Sequence, residues 1–173
     1  MARELGLVVS ACGGMPQRLV KDVAEPAARA GWRLAITLTP TAWSWLSAAG
    51  GLDGLRSLTD LEVRCASRMP DEPRPHPDPE VFLFAPASAS SVAKLALGLA
   101  DNQALTVLGD VLGVPGTTMV VAYQVRDTRK YHPAWQGHLD ALTSAGVRLH
   151  RLDVEQPWTG VLDLLPGQPA GTP

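Results

Sequence analysis

The run Ala85-Pro86-Ala87-Ser88-Ala89-Ser90-Ser91-Val92-Ala93-Lys94-Leu95-Ala96-Leu97-Gly98-Leu99-Ala100-Asp101-Asn102 continues the apolar segment Val81 to Ala85. A short unbroken apolar run is what a strand buried on both faces requires. A proline and small residues then lead into a helix expected over Ser88 to Leu99. The residues alone leave two uses open for this junction. It is a hydroxyl-capped helix start, or a slot where a planar ring lies against main-chain atoms whose amides bond its nitrogens and oxygens.

Outward from that junction, apolar runs and helical patterns alternate along the whole chain. Strands are expected at Leu5–Ala11, Trp32–Leu38, Leu61–Cys65, Val81–Ala85, Thr117–Ala122 and Val147–Leu152. Helices are expected at Arg18–Ala30, where Leu19, Val23 and Ala27 form one stripe, and through Trp43, Trp45 and Leu46. Others fall at Gln103–Leu112 and Pro133–Ser144, while the five prolines of Met69–Pro79 give a stiff surface loop. Repeated strand–helix–strand units predict a single α/β domain with a Rossmann-like (flavodoxin-like) doubly wound parallel sheet of about six strands. That domain is expected over residues 1–154, with 155–173 as a partly disordered tail carrying one apolar patch, Trp158 to Leu165. In such sheets ligands bind beyond the strands' carboxyl ends, so the loops to examine are 10–15, 39–42, 86–91 and 122–132.

The chain has 173 residues, 46% of them hydrophobic and only 18% charged, which suits one core and an apolar surface partly covered in a homo-oligomer. A net charge of -2, with no cationic run longer than Arg129-Lys130, argues against a nucleic-acid partner. The first apolar segment is too short for a signal peptide or membrane span, and two cysteines make neither a disulfide framework nor a metal-ligand spacing. The expected setting is cytoplasmic, with no metal and no membrane contact.

In the first loop, Ser10-Ala11-Cys12-Gly13-Gly14, glycines admit a close backbone approach, and free amides at a helix start favour an anion such as phosphate. A tight turn without ligand fits the same residues. Thr39 and Thr41 are either helix caps or phosphate contacts. Cys12 either approaches a ligand or is an inert buried thiol, and of Trp43 and Trp45 one covers a ligand or subunit contact, or both pack.

The segment Pro86 to Asp101 resembles the Pro-Ala-Ser-Ala-Asn-Thr motif of the flavin-containing cysteine decarboxylases and its helix Ile-Ala-Lys-Leu-Ala-x-Gly-x-Ala-Asp. That family includes phosphopantothenoylcysteine decarboxylases and the enzymes that decarboxylate the terminal cysteine of lantibiotic peptides. The likeness extends over roughly Leu5 to Leu152. It implies FMN as cofactor, held by Ser10, Cys12, Gly13, Gly14, Thr39 and Thr41, with the flavin ring along Pro86, Ala87, Ser88, Ala89 and Ser91. It also implies a homotrimer, or trimers of higher order, with FMN near a subunit boundary.

The chain departs from this pattern in three places. The motif's Asn and Thr are Ser90 and Ser91, and a hydroxyl cannot reproduce an amide's paired donor and acceptor. The family's catalytic His has one nearby counterpart, His76, set between Pro75 and Pro77, either as a loop-delivered base or as a solvated residue. The substrate clamp Pro-x-Met-Asn-x-x-Met-Trp gives way to Tyr123 to Lys130, with Arg126 where the Asn would hold a carboxylate, unless this is a plain surface loop. Ser90, His76 and Arg126 are thus the candidate catalytic residues. The implied reaction is oxidative decarboxylation of a small molecule or peptide with a cysteine-like carboxylate. The alternative is a diverged FMN-binding oxidoreductase or a non-decarboxylating flavin module. A related flavin prenyltransferase fits less well, because Ala11-Cys12-Gly13-Gly14 lacks that group's Gly-Ala-Ser-Gly loop.

Overall fold

The computed structural model describes residues 3–167. Five parallel strands, β1 (Arg3–Val9), β2 (Trp32–Leu38), β3 (Val81–Ser88), β4 (Thr118–Gln124) and β5 (Arg148–Arg151), lie in the order β2-β1-β3-β4-β5. Alternation along each strand sends Leu5, Leu7, Val9, Leu34, Ile36, Leu83 and Val120 to one face. Val8, Phe82, Phe84, Met119 and Val121 go to the other. Both faces are therefore apolar, and each fully buried Leu or Ile contributes about 1.5–3 kcal/mol.

Five strands form where six are expected. Leu61–Cys65 makes only one bridge to the sheet edge, in which Arg64 N–H bonds Ile36 O at 3.0 Å and Leu38 N–H bonds Arg64 O at 2.8 Å. The preceding rung would need Leu34 O, which accepts from the Thr59 hydroxyl at 2.7 Å instead. The following rung falls on Pro40, which has no N–H to give.

The first face is covered by α1 (Met15–Arg18), a π-helical stretch Leu19–Ala24 and α2 (Glu25–Arg29), which run on from one another, and by α3 (Pro40–Ala49) and α4 (Leu52–Arg56). The single expected helix over Arg18–Ala30 is widened at its centre, where Glu25 N–H reaches back to Val20 O. Pro26 explains this, since it has no N–H for the Asp22 carbonyl and its ring needs room there. The second face is covered by α5 (Ala89–Ala96), α6 (Gln103–Val111) and α7 (Trp135–Ser144).

Beyond Glu155 the chain packs onto the first face. Trp158, Val161, Leu162 and Leu165 join its core, around a 3-10 turn at Thr159–Leu164. Trp158 N–H donates to the Asp22 carboxylate at 3.3 Å, which anchors the turn. The Gly/Pro end from 168 lies outside the described residues. Among the described residues no helix is long and apolar enough to cross a membrane.

Candidate functional site

Because all five strands run the same way, their carboxyl ends form one edge, and β1 sits between β2 and β3 where the strand order reverses. The crevice at that reversal is where open α/β sheets of this order take ligands. Here it is braced by a buried side chain. Ser10 Oγ donates to Pro86 O at 3.2 Å and accepts from Ser88 N–H at 2.7 Å, while Ser10 N–H bonds Pro86 O at 3.0 Å. The hydroxyl thus ties the loop after β1 to the end of β3. The Ala85–Pro86 peptide is cis.

Local chemistry shapes both loops. Ser88 caps α5, its Oγ accepting from Ser91 N–H at 3.2 Å and donating to Ser91 Oγ at 3.0 Å. Gly14 takes the left-handed region at φ 78°, which a residue with a Cβ adopts only at a cost. A Cβ on Gly13 would stand 3.4 Å from Gln124 Oε1, and Gln124 Nε2–H donates to Gly13 O at 3.2 Å. The first loop is therefore held against the end of β4 as well.

Over these loops opens a cavity of about 1300 Å³. Ala11, Cys12, Gly13, Ser88, Ala89 and Ser90 form one wall, and the segment from Gln124 to His132 forms another. Asp127 in the 3-10 turn Asp127–Tyr131 accepts from Lys130 at 2.8 Å and Arg151 at 3.4 Å, and these cations hold its carboxyl below the usual range. Arg126 and Arg129 also line the cavity and have no carboxylate partner among the described residues. His132 Nδ1 accepts from Ala134 N–H at 3.2 Å, which leaves Nε2–H as the ring's donor. Burial pushes the Cys12 thiol up to about 12, against the opposing Ser10 hydrogen bond, so this sulfur stays protonated and inert.

The cavity brings together Cys12, Gly13, Ser88, Ala89, Ser90 and Arg126 from the sequence-derived candidates. Ser10, Pro86, Ala87 and Ser91 are buried without lining it, and Gly14 is exposed beside Gly13. Thr39 and Thr41 also lie outside its lining. Thr39 is buried and caps α3, accepting from Ala42 N–H at 3.3 Å, and Thr41 is exposed. His76 is not brought to the others within one chain. It lines a separate cavity on the second sheet face, with Nε2 2.7 Å from Glu62 O, and burial lowers its pKa. Of the two tryptophans, Trp45 reaches the carboxyl-edge cavity and Trp43 packs on the core.

Gln124, Arg129 and His132 fall in the 122–132 loop that the sequence marked without being singled out there, and Arg151 and Asp153 lie outside the marked loops. Asp153 follows β5, so the rule that marked the earlier loops would have marked it too. Arg129 stands three residues after Arg126, the period that aligns side chains on a 3-10 turn.

No protein-family model matches the sequence, and no curated protein matches it. Among solved structures, the fold resembles the FMN-dependent cysteine decarboxylase TvaF from thioviridamide biosynthesis, at TM-score 0.63 and 21% identity over 95% of this chain and 96% of that one. HAL3 from Cryptococcus neoformans superposes at TM-score 0.72 with 18% identity, covering 94% and 93% of the two chains. Peptidyl-cysteine decarboxylase EpiD gives 0.66 and 18% identity, with 90% of each chain covered. At this identity the likeness is one of fold: the chain is built on the parallel α/β sheet that these FMN-dependent cysteine decarboxylases and HAL3 share.

Proposed function

We propose that the chain is a diverged flavin-containing cysteine decarboxylase that holds FMN at the β1/β3 crevice and acts on a cysteine-derived carboxylate. The observation that carries this reading is the Ser10 brace. It fixes two loops of small residues side by side at the strand-order reversal and leaves a roomy cavity above them. The residues fit the cofactor. Gly13 leaves the wall without a Cβ, Ala89 and Ser90 add only one or two heavy atoms each, and the main-chain amides there offer donors to ring oxygens and nitrogens. Gly13, Ser88, Ala89 and Ser90 would hold the flavin, with Gly14, Thr39 and Thr41 on the adjoining loops towards its phosphate.

Bound FMN would supply the acceptor for the two electrons and two hydrogens taken from the cysteinyl CH–SH unit, after which the carboxylate leaves as carbon dioxide. This chain's part is orientation. Arg126 and Arg129, both without carboxylate partners among the described residues, would grip the substrate carboxylate, and a guanidinium does so through two parallel bonds. Ser90 Oγ and His132 Nε2–H are further donors on the same cavity. A base role for His76 would require its delivery from a neighbouring copy, because within one chain it sits in the other cavity. A homotrimer belongs to the same reading, with Trp45 and Tyr131 exposed at the rim for subunit contact.

The experiment is to reconstitute the protein with FMN and incubate it with cysteine-terminated peptides or phosphopantothenoylcysteine under nitrogen. Flavin bleaching, with a product lighter by carbon dioxide and two hydrogens, is the expected result. Stable flavin with no thiol consumed would favour the second reading, a flavin-binding oxidoreductase or module without decarboxylation. The separation of His76 from Arg126 is the observation on that side.

A further inference from the structure

On the second sheet face, where β1 and β2 lie under the proline-rich loop, there is a cavity of about 600 Å³, within the range of roughly 300–1,000 Å³ usual for small-molecule sites. Its floor is apolar: Val8, Ala35 and Phe82, with the Phe82 ring filling the place of the missing Gly6 side chain. One polar group interrupts that floor. Thr37 is 2% exposed, and its hydroxyl has no hydrogen-bond partner among the described residues although it opens on the cavity. Solvent reaches this hydroxyl through the cavity, so a ligand group bonded to it would take the place of water.

Arg64 is the cross-strand partner of Thr37, so their side chains leave the sheet on the same face. Its guanidinium is largely covered. One Nη donates to Glu62 at 3.2 Å and the other to Ala66 O at 3.0 Å, which leaves Nε–H without a partner among the described residues. An unpartnered O–H and an unpartnered N–H from paired residues suit one carboxylate group. A dianion is disfavoured, because Arg74 is paired with Asp78 at 2.9 Å and Arg64 with Glu62 at 3.2 Å, which leaves Arg68 as the lining cation without a carboxylate partner among the described residues, against Asp110.

We infer that this sheet-face cavity binds a small monocarboxylate with an aromatic or branched apolar body, its carboxylate on Thr37 Oγ1 and Arg64 and its body on Phe82, Val8 and Ala35. Within one chain the site shares no lining residue with the carboxyl-edge cavity, so its binding is measured apart from that of FMN.

Calorimetric titration of the full chain with phenylacetate tests it, with benzyl alcohol and inorganic phosphate as the other probes. Saturable phenylacetate binding is expected, at least tenfold weaker in Thr37→Val and in Arg64→Gln, kept in Thr37→Ser, and unmoved by Arg126→Ala. Neither benzyl alcohol nor phosphate should bind comparably. Absence of saturable binding at millimolar phenylacetate, unchanged affinity in Thr37→Val, equal binding of either other probe, or loss in Arg126→Ala would each overturn the inference. Because Thr37→Val replaces a hydroxyl that has no protein partner, it is expected to fold and so keeps the test decisive if Arg64→Gln does not.

Discussion

The two cavities arise in opposite ways. The one at the carboxyl edge is built: parallel strands end together, Ser10 ties two loops, and small residues keep the space clear. The one on the sheet face is left over: a strand fails to extend past its single bridge at Arg64, and the proline-rich loop and α6 stand on either side of the gap. The contrast is sharpest in two buried hydroxyls. Ser10 has both a donor and an acceptor within hydrogen-bond reach, and Thr37 has neither among the described residues. A built site should collapse when its brace is cut, and a left-over one should hardly notice.

The largest effect expected is therefore at Ser10. Ser10→Ala leaves Ser88 N–H without its acceptor and should cost about 1–3 kcal/mol in urea unfolding, with weaker FMN retention. Thr37→Val, measured alongside, should change stability little or raise it. Equal losses at the two positions would erase the distinction. At the carboxyl edge, Arg126→Ala should raise KM for a carboxylate substrate about 10–100-fold, the loss of a charge-assisted hydrogen-bond pair worth roughly 1.5–3 kcal/mol. Unfolding of that variant should match the parent, since Arg126 is exposed and has no partner among the described residues.

A smaller effect is expected on the sheet face. Burial, with a lesser contribution from the Arg64 charge, lowers the His76 pKa. The unfolded chain then binds a proton at higher pH than the folded one does. Stability should fall as pH drops through about 6.5, the unfolded value, towards the lower folded value, and then level off. His76→Gln should flatten that slope in urea titrations between neutral and mildly acidic pH, and an unchanged slope would place the dependence elsewhere. The smallest effect is at Cys12. With its thiol pushed up to about 12, iodoacetamide at mildly alkaline pH should leave it unlabelled in the folded protein, and the half-buried Cys65 should react first.

The same contrast governs what could be read in the sequence. Strands buried on both faces announce themselves as apolar runs, so the sheet and its edge loops were legible from Leu5, Ile36, Leu83 and Val120 outward. The β1 and β3 loops were marked by glycines and small residues, and Cys12, Gly13, Ser88, Ala89 and Ser90 do line the cavity. Non-local bonds were not legible. Nothing in the residues near Thr59 tells that its hydroxyl takes Leu34 O and stops a sixth strand. Nor does local pattern show that Trp158 reaches Asp22 and draws the last apolar patch into the core. The division of His76 from Arg126 between two cavities likewise depends on which face of the sheet the proline loop crosses.

The most direct test of a flavin site at the carboxyl edge is an FMN titration of the purified chain, followed by absorbance and flavin fluorescence, in parallel with Ala89→Phe. The expected result is saturable binding of one FMN per chain, abolished when the Phe ring fills the slot beside Ser90 while circular dichroism stays that of the parent. Failure of the parent to bind FMN, or undiminished binding by a folded Ala89→Phe, would contradict a flavin at this edge.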